Sequence, residues 1–443
     1  MAFRLNIRTF ITLQLLEIQQ GGRVVLLRKI KLSLQILFKV TLFILNVSNI
    51  FALPVVLILR AIRPWFLVRW GCLNSSRIGH FAANTELYLC ERDAGINVPP
   101  KCHIDLFYMD YRPLCNKQLA IMWNRVLRVW PSWILSPIAR VNRLIPGGAV
   151  HEIGRNTQHD RDVYNLLDRF PPHLQFTDEE EERGKAGLLA MGVPTGAPFV
   201  CLIVRDSAYL DALASRIKGT DVGYHSYRDS DIQNYVLAAE ELADRGYYLI
   251  RMGAMVNEPI SSRHKMVIDY ATNGMRSDFM DIYLGAKCAF CISTGTGFDA
   301  VPYIFRRPIV YVNYLPLGYL YSFRAQFISI TRHHLTIKKN QELSLRDIFS
   351  SGVGFSVYTS EYVSKGIKII ENTPEEIRDV AIEMAERLNG TWKPHEDDET
   401  LQRRFWEIFP VDATEAINKR PLHGEIRARF GAHFLRNNRD WLK

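Results

Sequence analysis

The stretch CISTGTGFDAVPYIFRRPIVYVN, Cys291–Asn313, decides how the chain is read. An apolar run stops at a Ser/Thr/Gly cluster, a short helix-like segment follows, and a second apolar run begins. That is the pattern of strand, turn, helix and strand in a parallel α/β sheet. Gly295, Gly297 and Ala300 satisfy G-x-G-x-x-A, the weaker form of a dinucleotide fingerprint. Two features count against a dinucleotide. The motif comes late in its series of strands, and after Asp299 the next acid is Glu342, so no carboxylate stands about 20 residues on to meet a ribose. It is not a P-loop, because no Gly-Lys-Ser/Thr follows. The cluster is then either a tight turn or a phosphate cradle. In a cradle Ser293, Thr294 and Thr296 offer hydroxyls, and Gly295 and Gly297 let the backbone approach closely.

Outward from this point the same alternation recurs. FVCLIVRD, YLIRMG, KMVIDYA, AFCIST and RPIVYVN read as strands, separated by the helical patterns around residues 230–246 and 278–288. Upstream, PWFLVRWGCL, FAANTELYLCERD, CHIDLFYMD and NKQLAIMWNRVLRVW read as strand, helix, strand and helix. Between them TDEEEERGKAGLLAMGV reads as a helix capped by Thr177, and later Asn372 and Gly390 bracket another. The expectation is two doubly wound α/β domains.

In such sheets ligands bind beyond the carboxyl ends of strands. Arg205 and Arg251 each follow an apolar run, so parallel strands bring both toward Ser293. A guanidinium there is costly to desolvate unless an anion meets it. Two of them beside a Gly/Thr turn form a candidate diphosphate clamp, with Tyr227 and Arg228 as further contacts. In the first half, Gly79 fits a tight turn, and His80 sits where it could take a proton from a hydroxyl. Glu86 is the alternative base and Arg77 a contact for an anionic acceptor.

The net charge of +9 is uneven. Residues 1–150 carry 19 Lys and Arg against 6 Asp and Glu, and the remainder is net acidic. No zinc-finger spacing, aromatic RNA-binding signature or basic zipper accompanies this, so nucleic acid is not the expected partner. An anionic membrane surface is. The run VTLFILNVSNIFALPVVLIL, residues 40–59, has no charge and is about long enough to cross a bilayer. Basic residues flank both of its ends, which favours an in-plane or re-entrant segment over a span. Seven cysteines with one C-x-x-C, Cys288 and Cys291, lack a second pair for a zinc site and read as core packing in a reducing compartment.

SRIGHFAANTELYL, SYRDSDIQNYVLAAEELADRGYYLIRMG, CISTGTGFDAVPYIFRRPIVYVN and IKIIENTPEEIRDVAIEMAERLNGTW together resemble a poorly characterised family of bacterial glycosyltransferases of GT-B type associated with surface glycans. The resemblance spans roughly residues 60–440. It implies two Rossmann-like domains, a nucleotide-sugar donor held by the second without a metal or cofactor, and a glycan, lipid-linked or protein acceptor held by the first. The division would be a membrane segment at 1–62, an acceptor domain at 63–190, a donor domain at 191–400, and helices at 401–443 returning to the first domain. His80 takes the place of the base, Asp299 that of a ribose carboxylate. The implied location is the cytoplasmic face of a bacterial inner membrane. A sugar-nucleotide epimerase of the same fold and a non-catalytic adaptor are the rival readings.

Overall fold

The structure is a computed structural model that describes residues 47–153, 161–208, 223–415 and 419–443, together with 17, 19, 22–33 and 35. Residues 40–46 of the apolar run lie outside the described set. The chain forms two compact units. The N-terminal unit comprises Met1–Gly71, Pro99–Tyr108 and Trp130–Ile153; the sheet unit comprises Cys72–Val98, Met109–Val129 and Gly154–Lys443.

Strands β1 (Leu67–Leu73) and β2 (His103–Met109) pair as a two-stranded sheet. In the N-terminal unit a buried Arg69 meets Asp105 with two bonds, Nε to Oδ1 at 2.7 Å and Nη2 to Oδ2 at 2.6 Å. Trp70 stacks on His151 at 5.3 Å, and the ring's Nδ1 lies 2.7 Å from the Val68 carbonyl. The expected strand-helix-strand-helix series is present in chain order, with helices Ile78–Asp93 and Lys117–Val126, both of which belong to the sheet unit. Among the described residues its strands form a two-stranded sheet. After Lys117–Val126 the chain enters another helix, Ser132–Leu144.

The sheet unit contains β3 (Phe199–Ile203), β4 (Tyr248–Met252), β5 (Val267–Asp269), β6 (Phe290–Ser293), β7 (Ile309–Tyr314), β8 (Phe327–Thr331), the antiparallel pair β9 (His333–Thr336) and β10 (Ile367–Ile370), and β11 (Arg429–Phe430). Seven of these form one parallel sheet in the order β11-β8-β7-β6-β3-β4-β5. Every residue of β3, β6, β7 and β8 is buried. Uninterrupted apolar runs are what a parallel sheet covered on both faces demands. Cys201 and Cys291 face each other in register within this core, and Cys288 is buried beside it. Two local expectations shift. The cap of Pro374–Asn389 is Thr373, in a capping box with Glu376, while Asn372 exchanges backbone-to-side-chain bonds with Asn313 at 2.6 and 2.8 Å. The C-terminal tail, 401–443, is not helical throughout. It supplies β11, an edge strand beside β8, before helix Ala432–Asn437.

Candidate functional site

The strand order contains a switch point. From β3 the chain steps outward to β4 and β5; from β6 it steps the other way to β7 and β8. The neighbours β3 and β6 therefore have connections that diverge, leaving a crevice at their carboxyl ends where open α/β sheets bind ligands. The segments that leave those ends begin at Val204 and Thr294.

The turn after β6 consumes most of its own polar groups. The Ser293 hydroxyl donates to Asp299 Oδ2 at 2.8 Å, and the same carboxylate oxygen accepts the Thr296 amide at 2.9 Å. Ser293 Oγ accepts the Gly295 amide at 3.0 Å, and Thr296 Oγ1 accepts the Phe298 amide at 3.3 Å. The Thr294 amide donates to the Ile203 carbonyl, while Thr294 Oγ1 accepts the Arg205 amide at 3.0 Å. Ser293, Thr294 and Asp299 are buried. Asp299 is thus a buried organiser of the turn, which corrects its reading as a ribose-binding carboxylate. Gly295 holds φ at 75°, a left-handed conformation that a side chain would strain. The following helix, Ala300–Ile304, is too short to be an anion site in its own right. The turn is a scaffold, and what it positions matters more than its own donors.

It positions arginines. Arg205 Nε pairs with Asp229 Oδ1 at 3.1 Å and remains part-exposed. Arg228 is half-buried and donates from Nη2 to the Gly295 carbonyl; its Nε is buried with no bonding partner. Among the described residues Arg228 has no carboxylate partner. Arg332, which follows β8, donates from Nη2 to the Asp229 carbonyl and the Ser230 hydroxyl, both at 2.6 Å, with Glu371 at 4.0 Å. Burial first, and the Arg228 charge second, hold the Arg205 guanidinium below its usual range. Burial does the same to Arg332, and it raises the carboxyls of Asp229 and Glu371 against the pull of these arginines. Cations that repel one another in a partly desolvated crevice are stabilised by an incoming anion. Arg332 is the member of this arginine cluster that the sequence reading missed, although it shows the same signal as Arg205, an arginine directly after an apolar run.

Arg251 does not join them. It pairs in register with Leu202, inside the sheet, and is 1% exposed. Its Nη1 sits 3.4 Å from Asp269 Oδ1 on β5. Its place is the core, which corrects its assignment to the clamp. Tyr227 is likewise buried, its ring 5.1 Å from that of Tyr362.

The helix Ile78–Asp93 reaches the same turn. A Cβ added to Gly79 would lie 3.0 Å from the Gly297 Cα and 3.2 Å from its carbonyl oxygen, so only glycine allows this approach. The helix is 16 residues long, and its N-cap, Arg77, makes no side-chain cap. Its positive dipole end therefore abuts the scaffold that carries Arg205 and Arg228. His80 is in the first turn, and its Nδ1 is buried with no bonding partner. Arg77 is exposed.

Glu86 is not a base. It is fully buried, and its Oε1 accepts from Arg306 Nη2 at 2.6 Å and lies 3.1 Å from His173 Nδ1. His173 Nε2 is 2.8 Å from Asp93 Oδ2. Glu86, Cys90 and His173 offer donor atoms within 4.8 Å of one another, a spacing that could hold a metal ion. Arg306 already supplies positive charge there, 3.6 Å from the Cys90 sulfur, and burial pushes the Cys90 thiol well above its ordinary range, so the donor set suits a guanidinium better than a metal. Arg306 also donates to the carbonyls of Phe170 and Pro171, which ties the connector to the helix. Glu86→Gln leaves this buried guanidinium without its counter-charge, and the expected loss is about 3 kcal/mol of stability, read by urea unfolding. A second result concerns pH. Burial opposes protonation of His173, but its bonds and attraction to Glu86 and Asp93 prevail, and its pKa is raised. The stabilisation it brings is full below the unfolded-state value of about 6.5 and is lost as pH rises through the raised folded-state value. The stability difference between wild type and His173→Gln should shrink steadily from pH 6 upward.

No protein-family model matches the chain, and no curated protein matches it. Several solved structures are similar to it. A glycosyl transferase family 9 protein from Veillonella parvula DSM 2008 shares 13% identity over 72% of this chain and 97% of its own, with a TM-score of 0.40. The E. coli ADP-heptose LPS heptosyltransferase II shares 13% identity over 55% of this chain and 84% of its own, with a TM-score of 0.32. A putative UDP-N-acetylglucosamine 2-epimerase from Listeria monocytogenes shares 8% identity over 74% and 98%, with a TM-score of 0.26. Overlaps of this size are partial and assign no family.

Proposed function

We propose that the chain is a glycosyltransferase that takes a nucleotide-diphosphate sugar as donor and a hydroxyl group as acceptor. The observation that carries this reading is Arg228, half-buried at the switch point beside Arg205 with no carboxylate partner among the described residues. A diphosphate is the ligand whose charge and oxygens match two converging guanidinium groups. Arg332 holds the Asp229–Ser230 backbone and so fixes the segment from which Arg228 projects.

In the proposed reaction an acceptor oxygen attacks the anomeric carbon, and the bond from that carbon to the diphosphate oxygen breaks. The electron pair leaves with the diphosphate. Arg205, Arg228 and the N-terminal end of Ile78–Asp93 stabilise the charge that develops there, as fixed donors do most effectively when oriented in advance. They supply the neutralisation that a divalent cation would otherwise give, so the reading includes no resident metal and no cofactor. His80 takes the acceptor proton, and Arg77 meets an anionic glycan or lipid-linked acceptor. In GT-B terms the seven-stranded sheet is the donor side.

A thermal-shift panel of UDP-, GDP-, dTDP-, CMP- and ADP-sugars tests the reading. Stabilisation by one nucleotide family is the expected result. Stabilisation by none favours a scaffold without catalysis, and acceptor-independent interconversion of the bound sugar favours an epimerase.

A further inference from the structure

The N-terminal unit carries a second feature that glycosyl transfer does not use. The helix Val47–Ile62 contains no acid, and its one basic residue, Arg60, lies in the last turn. Asn49, Ala52 and Val56, spaced three and four apart, are its buried stripe. That stripe packs on Ser132–Leu144, and Arg60 ties the two together through Asn142 Oδ1 at 3.1 Å and the carbonyls of Ile145 and Pro146. Between Ile50 and Ile58 its other residues are apolar and exposed. Ile50, Phe51, Leu57 and Ile58 are 53 to 72% exposed. A helix at a water-facing surface would carry polar residues at those positions. Beside them Trp65 is 77% exposed and, on Ser132–Leu144, Trp133 is 76% exposed. Exposed apolar surface of this extent marks an interaction site, and tryptophan is suited to a boundary between water and hydrocarbon.

We propose that this two-helix face rests on an anionic lipid surface, with Val47–Ile62 lying in the plane of the interface. The described part of the helix, 16 residues, is about 24 Å long. No helix among the described residues is long and apolar enough to cross a membrane. Its packing on Ser132–Leu144 already fixes one side, and an in-plane helix needs one side on protein and one in lipid. Charge selects the occupant. In the segments 47–71, 99–108 and 130–153 there are six Lys and Arg against two acids, Asp105 and Glu152, and both acids are paired with arginines. Two copies meeting through this face would bring like charges together, whereas an anionic bilayer complements them.

Cosedimentation of the full chain with vesicles tests this. With phosphatidylcholine vesicles containing phosphatidylglycerol, binding should be at least tenfold tighter than with phosphatidylcholine alone and should weaken with added salt. Tryptophan emission should shift to the blue on binding. The double variant Phe51→Glu/Ile58→Glu should lose vesicle binding while keeping the wild-type nucleotide-sugar response. Trp65→Ser/Trp133→Ser, at exposed positions that no core depends on, should weaken binding in the same direction. The proposal is overturned if wild type ignores anionic vesicles, if both variants bind as wild type does, or if wild type is a dimer that the glutamates convert to monomer. Nucleotide binding is read separately, so either proposal can fail without the other.

Discussion

Arg228→Ala should weaken donor binding by about 10- to 100-fold, equivalent to one lost charge-assisted hydrogen-bonding group of roughly 1.5–3 kcal/mol. It should do so without loss of stability. Among the described residues Arg228 has no ion pair to lose; it donates to the Gly295 carbonyl, its Nε is buried without a partner, and its charge opposes that of Arg205. Removing it relieves a repulsion. A variant that melts at or above the wild-type temperature and yet fails to bind donor marks a residue kept for its ligand. Arg228→Lys should restore little, because an ammonium lacks the planar fork that engages two phosphate oxygens. Isothermal titration with the responding nucleotide sugar, set beside a melting curve for each variant, gives both readings.

The second large effect is expected at His80. His80→Ala should lower kcat by about 10²-fold or more, the usual weight of a general base, with donor affinity unchanged. The side chain stands in the first turn of Ile78–Asp93, and its buried Nδ1 has no partner whose loss would destabilise the fold. A fall in donor affinity equal to the fall in rate would instead make His80 a binding group. Steady-state kinetics against donor and acceptor separate the two outcomes.

Much of the sheet unit was legible because its strands are short, fully buried apolar runs. FVCLI, FCIS and IVYVNY admit few other readings, and their alternation with helices implies parallel order. Thr177 and Gly390 mark helix ends through local chemistry, which sequence states directly. The N-terminal half misled because two strands and two helices do not specify how far a sheet continues. Its local elements are present, and the described strands among them pair as a two-stranded sheet.

The site was less legible because its assembly depends on register and on distant contacts. Arg251 looks like Arg205 in sequence, each closing an apolar run. Arg251, however, lies inside its strand, in register with Leu202, while Arg205 lies beyond the end of its own. Glu86 reads as a solvated helix position until Arg306, 220 residues away, is placed against it. Arg332 closes on Asp229 only because β8 and the segment after β3 meet at the same end of the sheet. In the Ser293–Asp299 turn, composition could not show that Asp299 and Ser293 take up the Ser293 hydroxyl and the Gly295 and Thr296 amides.

The most direct test is calorimetric titration of the wild-type chain with each nucleotide-diphosphate sugar, repeated with Arg228→Ala. Saturable binding of one nucleotide family by wild type, weakened about 10-fold or more in a variant that melts no lower, is the predicted result. Equal binding by the two proteins, or no binding by wild type to any of them, would contradict a diphosphate site at this switch point.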